Sequence, residues 1–174
     1  MTEIVEINQQ APDGAANRGP HTTGQGRAYW TESRLFIVHV SGEETQGRLS
    51  LVEGLLPPGA MTPLHVLGAS QILHVLDGEL TAYLPGVSRV LRAGESMNQP
   101  AGVPQTHSVT SSEPARVLAV SSPAGFERFV AEAGRPAESL TLPPPEDPPS
   151  DPERLAAIAA KHGMELLGPP RTLP

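Results

Sequence analysis

Two histidines and two glutamines carry the spacing on which chemistry could be built: His65, Gln71, Gln105 and His107. Imidazole has an unperturbed pKa of about 6.5, so a histidine held against a small molecule can give or take a proton near neutral pH. A neutral amide beside it hydrogen-bonds a carbonyl or hydroxyl and polarises it without adding charge. Strand side chains repeat direction every second residue, so if Gln105 faces an interior, His107 does too. By the same rule Gln71 shares a face with Leu73 and Val75, and His74 goes to the opposite one. His65 and His107 are therefore the expected catalytic pair. Gln71 and Gln105, with an apolar wall of Leu67, Leu73, Val75 and Met97, would bind substrate. A lone histidine in a strand is as often a hydrogen-bonded structural residue, and each of the apolar residues is equally well simple core. The coincidence of two inward histidines with two inward glutamines raises the set above that reading.

These residues need strands to position them. Pro57-Pro58-Gly59 reads as a turn, followed by a strand carrying His65, a Gly68-Ala69-Ser70 bend, a strand from Gln71 to Leu76 and a tight Asp77-Gly78 turn. Upstream, Ala28-Tyr29-Trp30 and Leu35–Val40 are strand-like runs separated by polar Thr31-Glu32-Ser33. Downstream, Glu79–Leu84, Ser88–Leu91, the segments around Met97 and His107, and Ala115–Ser121 continue the series at the spacing of a sandwich or barrel. Trp30 is expected to anchor packing and His39 to be hydrogen-bonded within its strand. Gly125–Gly134 has helical periodicity with a glycine stop, Leu142–Pro149 must be extended, and Asp151-Pro152-Glu153 opens a helix presenting Leu155, Ile158, Ala159 and His162 on one face. The expected organisation is an N-terminal edge strand (Ile4–Ile7) and flexible arm over 1–26, a barrel over 27–136, and a Pro-rich linker with a docking helix over 137–174. His21, in the arm, is expected to be solvated.

Composition narrows the function classes. The chain has 174 residues, with 20 Pro and 17 Gly that show no collagen-like period, which fits many short strands joined by turns. Aromatic residues are only 3% and the formal charge is −7, so the chain has few rings to stack bases and a field that repels phosphate backbones and anionic membranes. No nucleic acid and no membrane partner is expected. There is no Cys, hence no disulfide, thiolate metal site or cysteine nucleophile. No apolar run reaches membrane-spanning length and no signal pattern opens the sequence, so a cytoplasmic location is expected.

The spacing resembles that of the cupin superfamily, small β-barrels also described as jelly rolls. The first cupin motif, G-x5-H-x-H-x3-E-x6-G, falls on Gly59, His65, Leu67, Gln71 and Gly78 with every interval kept. The second, G-x5-P-x-G-x2-H-x3-N, falls on Gly94, Pro100, Gly102, Gln105 and Val109. The resemblance implies an all-β cupin (jelly-roll) barrel with short C-terminal helices. Glu44–Arg48 and the segment around Glu153–Ala159 are further similar to single-domain cupins related to bacterial quercetin dioxygenases and to polyketide cyclases. Such proteins are often homodimers.

Of the four family positions that hold metal, only His65 keeps its ligand type; Leu67, Gln71 and Gln105 replace the others. One imidazole and two neutral amides make a weak site for a first-row metal. No cofactor is expected, and the alternative is a weakly held divalent metal on His65 and His107 aided by Gln71 or Gln105. The function expected is that of a secondary-metabolism enzyme, a metal-independent cyclase or isomerase acting by acid–base catalysis on a small apolar, polyketide-like or aromatic substrate. A metal-dependent dioxygenase of the quercetinase type and a non-catalytic binding cupin are the competing readings.

Overall fold

The structure, a computed structural model, describes residues 27–145 and 151–170. The expected edge strand at Ile4–Ile7 and His21 lie outside the described residues. The first half of the barrel comprises β1 (Ala28–Thr31), β2 (Arg34–Val40), β3 (Ser50–Leu56), β4 (Leu64–Leu67), β5 (Ser70–Asp77) and β6 (Glu79–Leu84). The second half adds β7 (Val87–Arg92), β8 (Ser96–Gln99), β9 (Thr106–Ser108) and β10 (Ala115–Ser122). Then come α1 (Phe126–Ala133), β11 (Arg135–Pro136), α2 (Pro152–Lys161) and β12 (Met164–Gly168).

Seven strands pair in the order β11-β1-β2-β3-β10-β5-β8, and a facing layer holds β7-β6-β9 and β12-β4. Single bridges at Met61–Ser108 and His65–Gln105, with backbone bonds from Thr62 to His107 and from Gly102 to Leu67, join those last two groups into one surface. Two layers of antiparallel strands around one interior are the jelly-roll arrangement, and its fold class is all-β with two short helices. All four glycines of the motif frame, Gly59, Gly78, Gly94 and Gly102, sit at positive φ between 75° and 86°. An L-residue pays a steric penalty there and glycine does not, which is why the frame is written in glycine.

The barrel core gathers Leu56, Leu73, Val75, Leu80, Leu91 and Val117 with their neighbours. A second cluster joins Leu67 of β4 to Phe129 and Val130 of α1, Leu155 and Ile158 of α2, and Met164 of β12, so the C-terminal segment packs over the barrel. Helix α2 starts where the sequence says it should: Asp151 accepts the Glu153 amide at 3.0 Å and Pro152 occupies the first turn. His162 ends that face as the C-cap of α2, largely buried, and bonds Glu132 of α1 at 2.8 Å. Strand β12 is an element that the sequence reading did not anticipate.

Outside the barrel, His39 and Arg116 converge on Glu53, at 2.8 Å and 2.6 Å. Burial pushes the Glu53 carboxyl up, but the hydrogen bonds from Arg116 and His39 outweigh it and hold the group below the ordinary carboxylate range. Trp30 packs with Ala28 and Leu35, donates its indole N–H to the Thr141 carbonyl at 2.7 Å and lies under the Arg135 guanidinium. Both residues are structural, as their sequence settings suggest. No helix among the described residues is long and apolar enough to cross a membrane.

Candidate functional site

Between the two layers lies a cavity of about 100 Å³, lined mostly by apolar side chains. Its floor is barrel (Leu73, Val117, Ala119), one flank is Phe36 beside Gly54, and its cover is C-terminal (Phe129, Leu155, Met164). Gly54 leaves room for that flank, because a Cβ there would meet the Phe36 ring at 3.2 Å. Five polar side chains enter the lining from strands, Thr31 from β1, Arg34 from β2, His65 from β4, Gln71 from β5 and His107 from β9, and Glu32 and Thr62 join them from the connections.

His65 is buried, and its Nδ1 lies 2.8 Å from the Pro63 carbonyl oxygen. A carbonyl only accepts, so Nδ1 carries the proton and Nε2 keeps its lone pair. Among the described residues that lone pair is met by the Gln105 amide nitrogen at 3.5 Å. Burial lowers the His65 pKa, against the Pro63 bond that favours the charged ring. His107 stands beside it with ring centroids 6.4 Å apart and planes at 83°. Its backbone is fixed by Thr62, whose hydroxyl accepts the His107 amide at 3.1 Å, while its Nδ1 is sealed from solvent without a partner among the described residues. Burial, then the charges of His65 and Arg34, push the His107 pKa down to about 3. Both rings are therefore neutral at pH 7.

The structure brings His65, Gln71, His107, Leu67 and Leu73 to one cavity. Gln71 is oriented by donating its amide N–H to the Ser121 hydroxyl at 2.9 Å. The remaining three expected substrate contacts lie elsewhere. Gln105 is fully buried behind His65 and bonds its ring instead of lining the cavity; Val75 sits in the barrel core, and Met97 is partly buried against that core. Period two gives the direction of a side chain but not its depth along the barrel, and these point inward beyond the cavity. His74, as expected, is on the outer face, 2.8 Å from the Ser96 hydroxyl.

Thr31, Glu32, Arg34 and Thr62 are polar lining residues that the motif spacing does not single out, because Thr31-Glu32-Ser33 reads as a polar break between strands. Alternation along β2 gives the signal: Arg34 shares a face with Phe36 and Val38, opposite Leu35, which packs on Trp30. Another inward amide is Gln99, opposite Gln71 in the β5–β8 pairing, fully buried with neither amide atom bonded among the described residues. Replacing it with an apolar side chain of similar shape, Gln99→Met, is expected to raise stability by about 1–2 kcal/mol, read as a higher urea midpoint at unchanged slope. A lower midpoint would show that the amide is hydrogen-bonded in solution.

Residues 52–121 match the family model described as Cupin domain. The protein carries a cupin domain. Among solved structures the chain is similar to the TT1209 protein of Thermus thermophilus, at 28% identity over 44% of this chain and 74% of that one, with a TM-score of 0.42. It is similar also to recombinant oxalate oxidase in complex with glycolate, at 24% identity, 53% and 52% coverage and a TM-score of 0.47. A further likeness is to KdgF from Halomonas sp., at 20% identity, 52% and 79% coverage and a TM-score of 0.47. The chain spans about half the length of the oxalate oxidase. No curated protein gives a significant match.

A cupin barrel raises the question of a metal, and the residues present do not fit one. Among the described residues no three His, Cys, Asp or Glu side chains come together. The available donors are two imidazoles and the Gln71 oxygen, and the one carboxylate in the lining, Glu32, is already paired with Arg34, which leaves nothing to offset a divalent charge. Gln105 turns its N–H group, not its oxygen, to the His65 lone pair that a metal would need.

Proposed function

We propose that the cupin cavity binds a small, largely apolar carbonyl compound and catalyses a proton transfer leading to isomerisation or ring closure, without a metal. The observation that carries this reading is the locked tautomer of His65: Nδ1–H is committed to Pro63, and Nε2, whose lone pair is met by the Gln105 amide at a long 3.5 Å, is the base beside an apolar cavity. In this reading Nε2 takes a proton from the carbon next to the carbonyl. Neutral His107 hydrogen-bonds the oxygen on which enolate charge develops. The imidazolium at His65 then returns the proton to a different carbon, giving an isomer, or the enolate carbon attacks a second carbonyl of the same molecule and the proton goes to the new alkoxide, closing a ring. Atoms balance in both cases without oxidant or reductant. A lowered His65 pKa keeps the base unprotonated at neutral pH, so the rate should be flat from pH 7 to 8 and fall only on acidification below the ordinary histidine range.

Deuterium uptake at the methyl group of acetophenone in D2O, followed by proton NMR, tests the reading. The protein is expected to accelerate uptake over buffer, and His65→Gln to reduce the acceleration about 10²-fold or more. No acceleration by the wild type, or equal acceleration by the variant, would sink the assignment of the base to His65.

A further inference from the structure

We infer that the natural substrate carries a carboxylate, which binds Arg34 by displacing Glu32. The inference rests on the reading that the barrel cavity is the substrate site, and it names the class of molecule that the site takes. Arg34 is buried and lines the cavity beside His107, whose protonation its charge opposes. One arm of the guanidinium donates to the Met61 carbonyl at 2.8 Å and another to the Glu32 carboxylate. An arginine kept inside an apolar cavity needs an anion, and its planar fork fits a carboxylate.

Glu32 is an unusual choice for that anion. It occupies the turn between β1 and β2 at φ 54°, a conformation that costs an L-residue about 1 kcal/mol or more, where glycine or asparagine would sit more easily. Its side chain is 32% exposed, and Arg34 is its only bonded partner among the described residues. The chain's buried carboxylates are held differently. Glu127 accepts the amides of Gly42 and Gly125, and Glu53 is gripped by Arg116 and His39. Glu32 can rotate into water without leaving any other protein group unpaired, whereas Arg34 cannot leave, being anchored by Met61. A counter-ion tethered at the rim and a cation fixed inside form an exchangeable pair. A substrate carboxylate takes the inner place, and its neighbouring carbons then extend past His107 toward His65.

Benzoate and benzamide, matched in shape and differing in charge, are the probes, titrated by NMR. The wild type should bind benzoate at least about tenfold more tightly than benzamide. Arg34→Gln should abolish that preference and leave benzamide affinity within a factor of two to three. Glu32→Gln, which removes the competing anion, should tighten benzoate several-fold and leave benzamide unchanged. Equal binding of the two probes by the wild type, no binding of either, or unchanged or weakened benzoate binding in Glu32→Gln would overturn the inference. The Glu32 arm touches only a rim side chain, so it decides the matter even if Arg34→Gln fails to fold. His65→Gln separates this inference from the proton-transfer reading. Loss of the benzoate preference in the Arg34 variant alongside unaffected acetophenone exchange in His65→Gln would sink the base assignment alone; flat benzoate results with exchange lost would sink the carboxylate alone.

Discussion

Lowering the pH from 7 to 4.5 should cost the protein about 2–3 kcal/mol of stability through His107 alone, a large share of a typical domain's total. The sign follows from where the protons are. The unfolded chain takes up a proton on this histidine near its ordinary pKa of 6.5, while the folded ring stays neutral until about pH 3. Between those values the unfolded state binds more protons, so each unit of acidification favours unfolding by up to about 1.4 kcal/mol. Stability is whole above pH 6.5 and is lost as pH falls toward 3. His65, also lowered by burial, adds in the same direction. Carboxylates enter mainly below about pH 4.5, which leaves a window belonging to the two rings. Urea midpoints at pH 7, 6, 5 and 4.5 read the effect, and His107→Gln should make the slope visibly shallower. A wild-type midpoint that does not move across this range would mean that His107 is hydrated and free to charge, and its proposed role as a neutral hydrogen-bond donor would go with it.

Gly78→Ala should destabilise the fold by about 2–4 kcal/mol. Two costs add. Gly78 has φ 75°, where an alanine loses about 1 kcal/mol against glycine. A Cβ at this position would also stand 2.5 Å from the Pro114 carbonyl oxygen and 3.0 Å from the Ala115 Cα, both backbone atoms that no rotamer change can move. Forcing such contacts in a packed region typically costs a further 1–3 kcal/mol. Gly94 provides the comparison, with φ 86° and nothing within 4 Å of its would-be Cβ. Gly94→Ala carries the conformational cost without the collision. If the two variants melt alike, the close approach of the β5–β6 turn to Pro114 is not what the glycine serves.

That glycine frame is the part of the molecule most legible in the sequence, because a positive φ leaves a mark on residue type that spacing can reveal. The inward placement of His65, Gln71 and His107 was legible for a similar reason: period two is rigid once one member of a strand is oriented. Depth was not legible. Val75 and Met97 obey the same alternation as Leu73, yet only the pairing of whole strands decides which rung of the barrel meets the cavity. Arg34 was hidden by the usual association of arginine with solvent, although its alternation with Phe36 and Val38 marked it. Strand β12 had no signature of its own, since Met164–Gly168 is too short and mixed to announce a strand and acquires one only by pairing with β4.

That pairing bears on the order in which the site comes into being. Leu166 stands opposite His65 in the β12–β4 ladder, and Leu155 and Met164 close the cavity from the same segment. A growing chain emerges from the ribosome N-terminus first, so both histidines, Arg34 and every strand of the large sheet are made before residues 151–168. Until those residues arrive, Phe126 and Phe129 face water over an open cavity. The barrel made up to that point has an apolar mouth where the finished protein has a wall, and the last described stretch to be synthesised is the one that closes the cavity.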